Sequence, residues 1–181
     1  CFGDRVIIRD QAATRTIGGG KIINTNSPKR GRAKPARVKK LGQLNSDDKA
    51  LSLTSIILED RFGTELAFAQ EQFNFTDEEL KSLLDANKFI VLAGQLAISN
   101  KSFNDVKNEL VDKIEEWHKE NSGKPGLPKN KIKHIFSQLH NVLLNKMIEE
   151  LVESKELLQA GNIIQRPGYG VQLDKKEMAT W

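Results

Sequence analysis

The chain has 181 residues, room for one large domain or two small ones. Only 38% of them are hydrophobic and 29% are charged, which suits small domains with much surface rather than one large core. The net charge of +4 hides an asymmetry: Gln11 to Ser46 hold no acidic residue but nine basic ones, which leaves the remainder of the chain at −5.

In chain order, "DRVIIR" (4–9) is a β-branched run with charged ends and reads as a strand. "QAAT" reads as a turn and "RTIGGGKIIN" as a second strand interrupted by glycine, the sign of a bulge or of a backbone passing close by. Two strands alone are marginal, so this looks like the tail of a larger sheet. Residues 25–40, "TNSPKRGRAKPARVKK", carry two prolines, one glycine and seven basic residues, and read as a linker.

A helical stripe of Leu51, Leu53, Ile56, Ile57 and Leu58 then runs from near Ser46 to Phe62, with Gly63 as its expected terminator. A short helix is expected at 64–71. A third helix starts at Thr76, where Thr76 and Glu79 have the spacing of a capping box. "KFIVLAG" and "QLAISN" follow as a hairpin turning near Gly94. The same order recurs. A long helix spans about Ser102 to Asn121, and a short one, with Pro128 in its first turn, reaches Phe136. A third carries Val142 to Val152, and "ELLQAGN" and "IIQRPGYGVQL" close the unit as short strands. Helix, helix, helix, hairpin, repeated, is the element order of two winged helices. The expected boundaries are 1–25 for the strand pair, 26–42 for the basic linker, 43–101 and 102–174 for the winged helices, and 175–181 for the start of a third unit.

Gly18-Gly19-Gly20-Lys21 is not a phosphate cradle. A Walker loop needs G-x-x-x-x-G-K-[ST] opening a helix, and here Lys21 runs into Ile22 and Ile23, a strand. His118, His134 and His140 lack the company a zinc site requires and read as helix-surface or partly buried residues. Glu59-Asp60 and Glu115-Glu116 are adjacent and so diverge around their helices. No catalytic constellation, metal site or cofactor site is expected. The only cysteine, Cys1, rules out an internal disulfide, fits a reducing cytosolic setting and is not the methionine of a natural start, so the chain is expected to be part of something longer. No apolar run approaches the roughly 18 residues of a membrane helix.

The basic, acid-free segment is an electrostatic footprint for a polyanion, since each neutralised phosphate releases counterions, although a solvated linker has the same composition. The third helix of the first unit, "TDEELKSLLDANK", is acidic at its start, which disfavours docking on phosphates. "NVLLNKMIEELVESKELL" is acidic towards its end. The best nucleic-acid candidates of the second unit lie one helix earlier, at Lys129, Lys131, Lys133 and His134.

"DRVIIRDQAATRTIGGGKIIN" resembles the last strands of the third domain of Tu-type translation elongation factors, through Arg5, Ile8, Arg9, Arg15, Thr16, Gly18 and Gly20. The triple glycine, "KIIN" and the basic tail are closer to the selenocysteine-specific elongation factors, and "LVDKIEEWHKENSGKPGLPKNKIK" resembles that family's second winged helix. The resemblance implies an α+β chain: the end of an elongation-factor-type β-barrel followed by two tandem winged-helix domains. It implies partnership with selenocysteinyl-tRNA, the ribosome and an mRNA hairpin, the last mainly through winged helices beyond this chain. It also implies a cytoplasmic location, no membrane contact, and a GTP and magnesium site in an N-terminal domain that this chain lacks. In the Tu-type relatives the turn before the R-T-x-G motif faces the tRNA T-stem. The RNA-facing residues expected here are therefore Arg9, Gln11, Thr14 and Arg15, with the polyanion reading adding Lys29, Arg30, Arg32, Lys34, Arg37, Lys39 and Lys40. A tandem winged-helix DNA-binding regulator and a protein-interaction module remain as alternatives.

Overall fold

The structure, a computed structural model, describes residues 2–25, 33–46 and 48–169, apart from the side chains of Ala36, Lys40 and Gln43. The third unit expected at 175–181 lies outside the described residues. The chain divides between Ser102 and Phe103 into two compact units.

The first unit opens with an antiparallel pair, β1 (Arg5–Arg9) and β2 (Thr16–Lys21). Arg5 faces Lys21 and Ile8 faces Gly18, but Arg9 faces Thr16, so Ile17 forms a bulge just before the glycines. Of the three glycines, Gly19 is the one pressed by a neighbour: an added Cβ would stand 3.1 Å from the Val6 carbonyl oxygen. Helix α1 (Pro35–Leu44) follows, so the second half of the expected linker is helical. Proline in a basic, apolar-poor stretch reads as a breaker, but Pro35 occupies the first helical turn, where its fixed φ favours the helix and its missing N–H costs nothing. Leu41 and Leu44 then pack into the first unit's core.

Helix α2 (Lys49–Glu59) is capped by Asp48, whose carboxylate accepts from the Ala50 and Leu51 N–H groups at 2.8 and 3.2 Å. It ends at Asp60, not at Gly63. The Asp60 carboxylate accepts from the Phe62 N–H (3.1 Å) and the Thr64 hydroxyl (3.2 Å), which turns the chain into β3 (Thr64–Glu65). Gly63 is needed for a different reason: its φ is +89° and an added Cβ would meet the Leu96 side chain at 2.9 Å. Helix α3 (Leu66–Phe73) and helix α4 (Asp77–Ala86) complete the three-helix core, α4 starting with the Thr76–Glu79 capping box that the spacing predicts. Strands β4 (Ile90–Leu92) and β5 (Leu96–Ile98) form the wing, turned by Ala93 and Gly94 at positive φ, and β3 joins β5 to give the sheet order β3-β5-β4.

The second unit repeats this plan with α5 (Asn100–Glu120), β6 (Leu127–Pro128), α6 (Lys129–Ile135), α7 (Asn141–Glu153), β7 (Leu158–Ala160) and β8 (Ile163–Gln165), in sheet order β6-β8-β7. Ser99 accepts from the Ser102 N–H at 3.1 Å and so caps the long helix. Pro128 lies in β6 and caps α6 rather than entering its first turn. Gly126 repeats the role of Gly63: φ is +143° and an added Cβ would meet the Ile163 side chain at 2.6 Å. Phe103, Val106, Leu110 and Ile114 of α5 are buried, as are Leu143, Leu144, Met147, Ile148 and Leu151 of α7.

Two features outside these cores fix the ends of the units. In the first, the buried Gln72 side-chain oxygen accepts from the Thr25 N–H (2.9 Å) and hydroxyl (2.6 Å), while its amide nitrogen donates to the Ile23 carbonyl (3.3 Å). Phe2 meets Phe73 edge-on at 4.8 Å. The hairpin is thereby tied at its base to α3. In the second, His118 is 6% exposed and stacks on Tyr169 at 3.7 Å, with the Tyr169 hydroxyl donating to the Asn121 carbonyl at 2.6 Å. Burial pushes the His118 pKa below its ordinary value, with Arg166 acting in the same direction and the Ile164 backbone and Glu115 opposing.

Gln72→Ala should lower the stability of the first unit by about 1–3 kcal/mol, the cost of leaving buried groups unpaired, and expose residues 2–25 to limited proteolysis before the rest of the unit. Denaturant unfolding and timed protease digestion measure the two effects. For His118, the folded chain holds the ring neutral while the unfolded chain protonates below about 6.5. Stability of the second unit should therefore be full above that pH and fall as pH drops below it. His118→Phe should flatten that slope in a Trp117 fluorescence melt.

Candidate nucleic-acid interface

The turn between β1 and β2 is built by Asp10. Its carboxylate accepts from the Thr14 N–H (2.8 Å), the Thr14 hydroxyl (2.8 Å) and the Arg15 N–H (3.1 Å), and Ala13 takes the left-handed conformation at φ 53°. These bonds, the Arg15 N–H first and Thr14 next, hold the Asp10 carboxyl below its usual pKa. Thr14 is thus committed to the turn itself. Arg9 reaches the Ala13 carbonyl at a long 3.5 Å, while Gln11 and the Arg15 side chain are exposed with no partner among the described residues. Arg9, Gln11, Thr14 and Arg15 therefore share one exposed turn, with Arg15 and Gln11 best placed to reach outward.

The basic segment divides. Lys29, Arg30 and Arg32 lie outside the described residues, as does the Lys40 side chain. Lys34 is exposed at the N-terminal end of α1 and Arg37 is half-buried. Lys39 pairs with Glu59 at 3.3 Å across an exposed surface, an ion pair of small energetic weight.

In the second unit, Ile132 marks the buried side of α6, and Lys131, Lys133 and His134 are exposed across the opposite arc. A further sequence signal marks this surface: from Asn121 to Ile148 the chain holds five lysines and no acidic residue, a second segment of the kind found at Gln11–Ser46. Asn141 and Asn145, one helical turn apart, are both exposed on α7, within the same acid-free stretch of sequence. Sequence reasoning misses them because uncharged asparagines carry no signal in a count of charge, although the acidity of α7, at Glu149, Glu150 and Glu153, is legible as confined to its second half. Among the described residues no three His, Cys, Asp or Glu side chains converge to hold a metal, and no helix is long and apolar enough to cross a membrane.

A strand pair with an elongation-factor barrel signature, followed by two winged helices, defines a translation-factor architecture. The beta-barrel domain model of the selenocysteine-specific elongation factor matches residues 1–29, and the model "Elongation factor SelB, winged helix" matches residues 111–165. The selenocysteine-specific elongation factor of Escherichia coli K12 is 22% identical over 98% of this chain, and that of Desulfomicrobium baculatum 30% identical over 95%. The chain spans 29% and 28% of the lengths of these two relatives. A crystal structure of bacterial selenocysteine-specific elongation factor EF-Sec shares the fold over 99% of the chain, with a TM-score of 0.62 at 18% identity. The chain belongs to the selenocysteine-specific elongation factor family and corresponds to its barrel-end and winged-helix region, not to a GTPase domain.

Asp10→Ala should remove amide-exchange protection at Thr14 and Arg15 while the β1–β2 ladder amides keep theirs. Site-resolved hydrogen exchange distinguishes a turn held by this carboxylate from one held by the strands alone.

Proposed function

We propose that this chain is an RNA-contacting connector within a selenocysteine-specific elongation factor. It joins a body that binds GTP and selenocysteinyl-tRNA to distal winged helices that read an mRNA hairpin on the ribosome. The observation that carries this reading is the coupling of an acid-free basic segment to a fixed joint. Gln11–Ser46 hold nine positive charges, and this segment is fastened to the first unit at two places, through Thr25 on Gln72 and through Leu41 and Leu44 of α1 in the unit's core. Charge near phosphates gives attraction without sequence choice, while the joint fixes where that attraction acts. Arg15 and Gln11 on the β1–β2 turn face the tRNA, and Lys29, Arg30, Arg32, Lys34 and Arg37 lie along RNA. Lys40 belongs with them, while Lys39 contributes less because of its Glu59 partner. The chain itself carries no catalysis in this reading. GTP, magnesium and hydrolysis belong to another domain, and the protein works in the cytoplasm.

The first unit does not read a groove. Asp77, Glu78 and Glu79 fill the first turn of α4, where a winged helix that docks on phosphates needs neutral or positive side chains.

Replacing Arg30, Arg32 and Lys34 by Glu should weaken tRNA binding about tenfold or more near 100 mM salt. It should also reduce the slope of log affinity against log salt by about 2 to 3, one for each phosphate no longer neutralised. Fluorescence titration at two salt concentrations reads both. Unchanged affinity and slope would overturn the linker's role.

A further inference from the structure

The two winged helices use one backbone plan with opposite charge. The Leu66 N–H donates to the Gln95 carbonyl at 2.8 Å, and the Lys129 N–H donates to the Asn162 carbonyl at 2.9 Å, so α3 and α6 begin against the turn of their own wing in the same way. Superposing the chain on these two bonds sets His134 at the place of Glu71 and Lys133 at that of Gln70. Superposing it on the caps of the third helices, Thr76 and His140, sets Asn141 at the place of Asp77. The same alignment sets Asn145 at the place of Lys81, so the first unit's face carries Glu71, Asp77, Glu78 and Glu79 with one lysine, whereas the second carries Lys131, Lys133 and His134 and no acid before Glu149.

We infer that the α6–α7 face of the second winged helix is a second RNA-binding surface, distinct from the β1–β2 turn and the basic segment. It grips the phosphate backbone of an RNA duplex through Lys129, Lys131, Lys133 and His134, with Asn141 and Asn145 beside them. Three observations carry it. The ammonium groups of the three lysines have no partner among the described residues, so their charge is not committed elsewhere. The nearest carboxylates along the chain are Glu120 and Glu149, and Glu149 is held by Lys146 at 3.2 Å. The wing turn that meets the start of α6, Gln159 to Asn162, is also free of acid.

The exposed amides sit in the first two turns of α7, the part of a recognition helix that approaches nucleic acid. The deep, narrow major groove of A-form RNA does not admit such a helix. The surface accordingly tracks phosphates and 2′-hydroxyls, and Asn141 and Asn145 bond the backbone rather than base edges. The face would attract any polyanion by charge alone. The choice of RNA over DNA rests on the proposed function, whereas the surface itself does not.

The test uses the full chain, an RNA duplex of about 16 base pairs, and a DNA duplex of the same sequence. Lys129→Gln, Lys131→Gln and Lys133→Gln together should weaken RNA-duplex binding about tenfold or more near 100 mM salt and lower the salt slope by about 2 to 3. A melt followed by Trp117 fluorescence confirms the fold. If the triple variant melts early, Lys131→Gln with His134→Gln, both exposed, serves instead, with a proportionately smaller loss. Unchanged affinity and slope would overturn the surface. DNA bound as tightly as RNA, with the same loss in the variant, would overturn its assignment to RNA.

The Arg30, Arg32 and Lys34 variant, measured in parallel, separates the two readings. Loss there without loss at α6 removes this inference and leaves the connector standing. Loss at α6 alone does the reverse.

Discussion

The buried side chain of Gln72 is the constraint on which the first unit depends. The β1–β2 pair has no core of its own: Val6, Ile7, Ile8 and Ile17 are all exposed, Ile7 by 71% and Ile17 by 67%. A two-stranded ribbon in that condition does not hold a direction by itself. It holds one because a single amide accepts two donors from Thr25 and donates to Ile23, and because Phe2 and Ile23 pack against the first unit's core. A neutral amide suits the place. It offers an acceptor and a donor without the desolvation cost of a charge, and it is rigidly presented from α3. The orientation of the β1–β2 turn, and of Arg15 upon it, follows from that small network.

Much of this is legible in the residues alone. Capping chemistry is local, so Thr76 and Glu79 announce α4 without help from the rest of the fold. The periodicity of Phe103, Val106, Leu110 and Ile114 likewise suffices for α5. What the sequence conceals depends on distant partners. The two-residue strands β3 and β6 have no pattern of their own and exist because β5 and β8 pair with them. Gly63 looks like a helix terminator because glycine often is one. Its real constraint is Leu96, more than thirty residues away. Pro35 has the look of a breaker, yet its position at the start of a helix makes it a starter. The candidate interface is hidden in part for a different reason: Asn141 and Asn145 carry no charge, and only the fold shows both exposed on α7.

The repeated fold also separates what architecture requires from what it leaves free. Gly63 and Gly126, at matching places before β3 and β6, answer the same close approach of a wing strand. The helix surfaces beside them answer to nothing inside the unit, and there the two repeats diverge in sign. Three acidic residues open α4 and complement its helix dipole, whereas α7 begins with Asn141 and no acidic residue in its first turn. Duplicated scaffolds with unlike surfaces are economical because the core residues, which resist change, need be found only once.

The open ladder of the β1–β2 pair carries a further consequence for handling the protein. Its glycine strand presents little side-chain bulk, its partner strand presents isoleucine and valine on both faces, and its outer edges lack cross-strand partners among the described residues. Such an edge is a template for any extended segment it meets. Concentration thus becomes a structural variable, because another copy of the same hairpin offers a partner for those hydrogen bonds. Arg5 and Arg9 stand at the two ends of β1, and charge at such a position is what discourages pairing between edges.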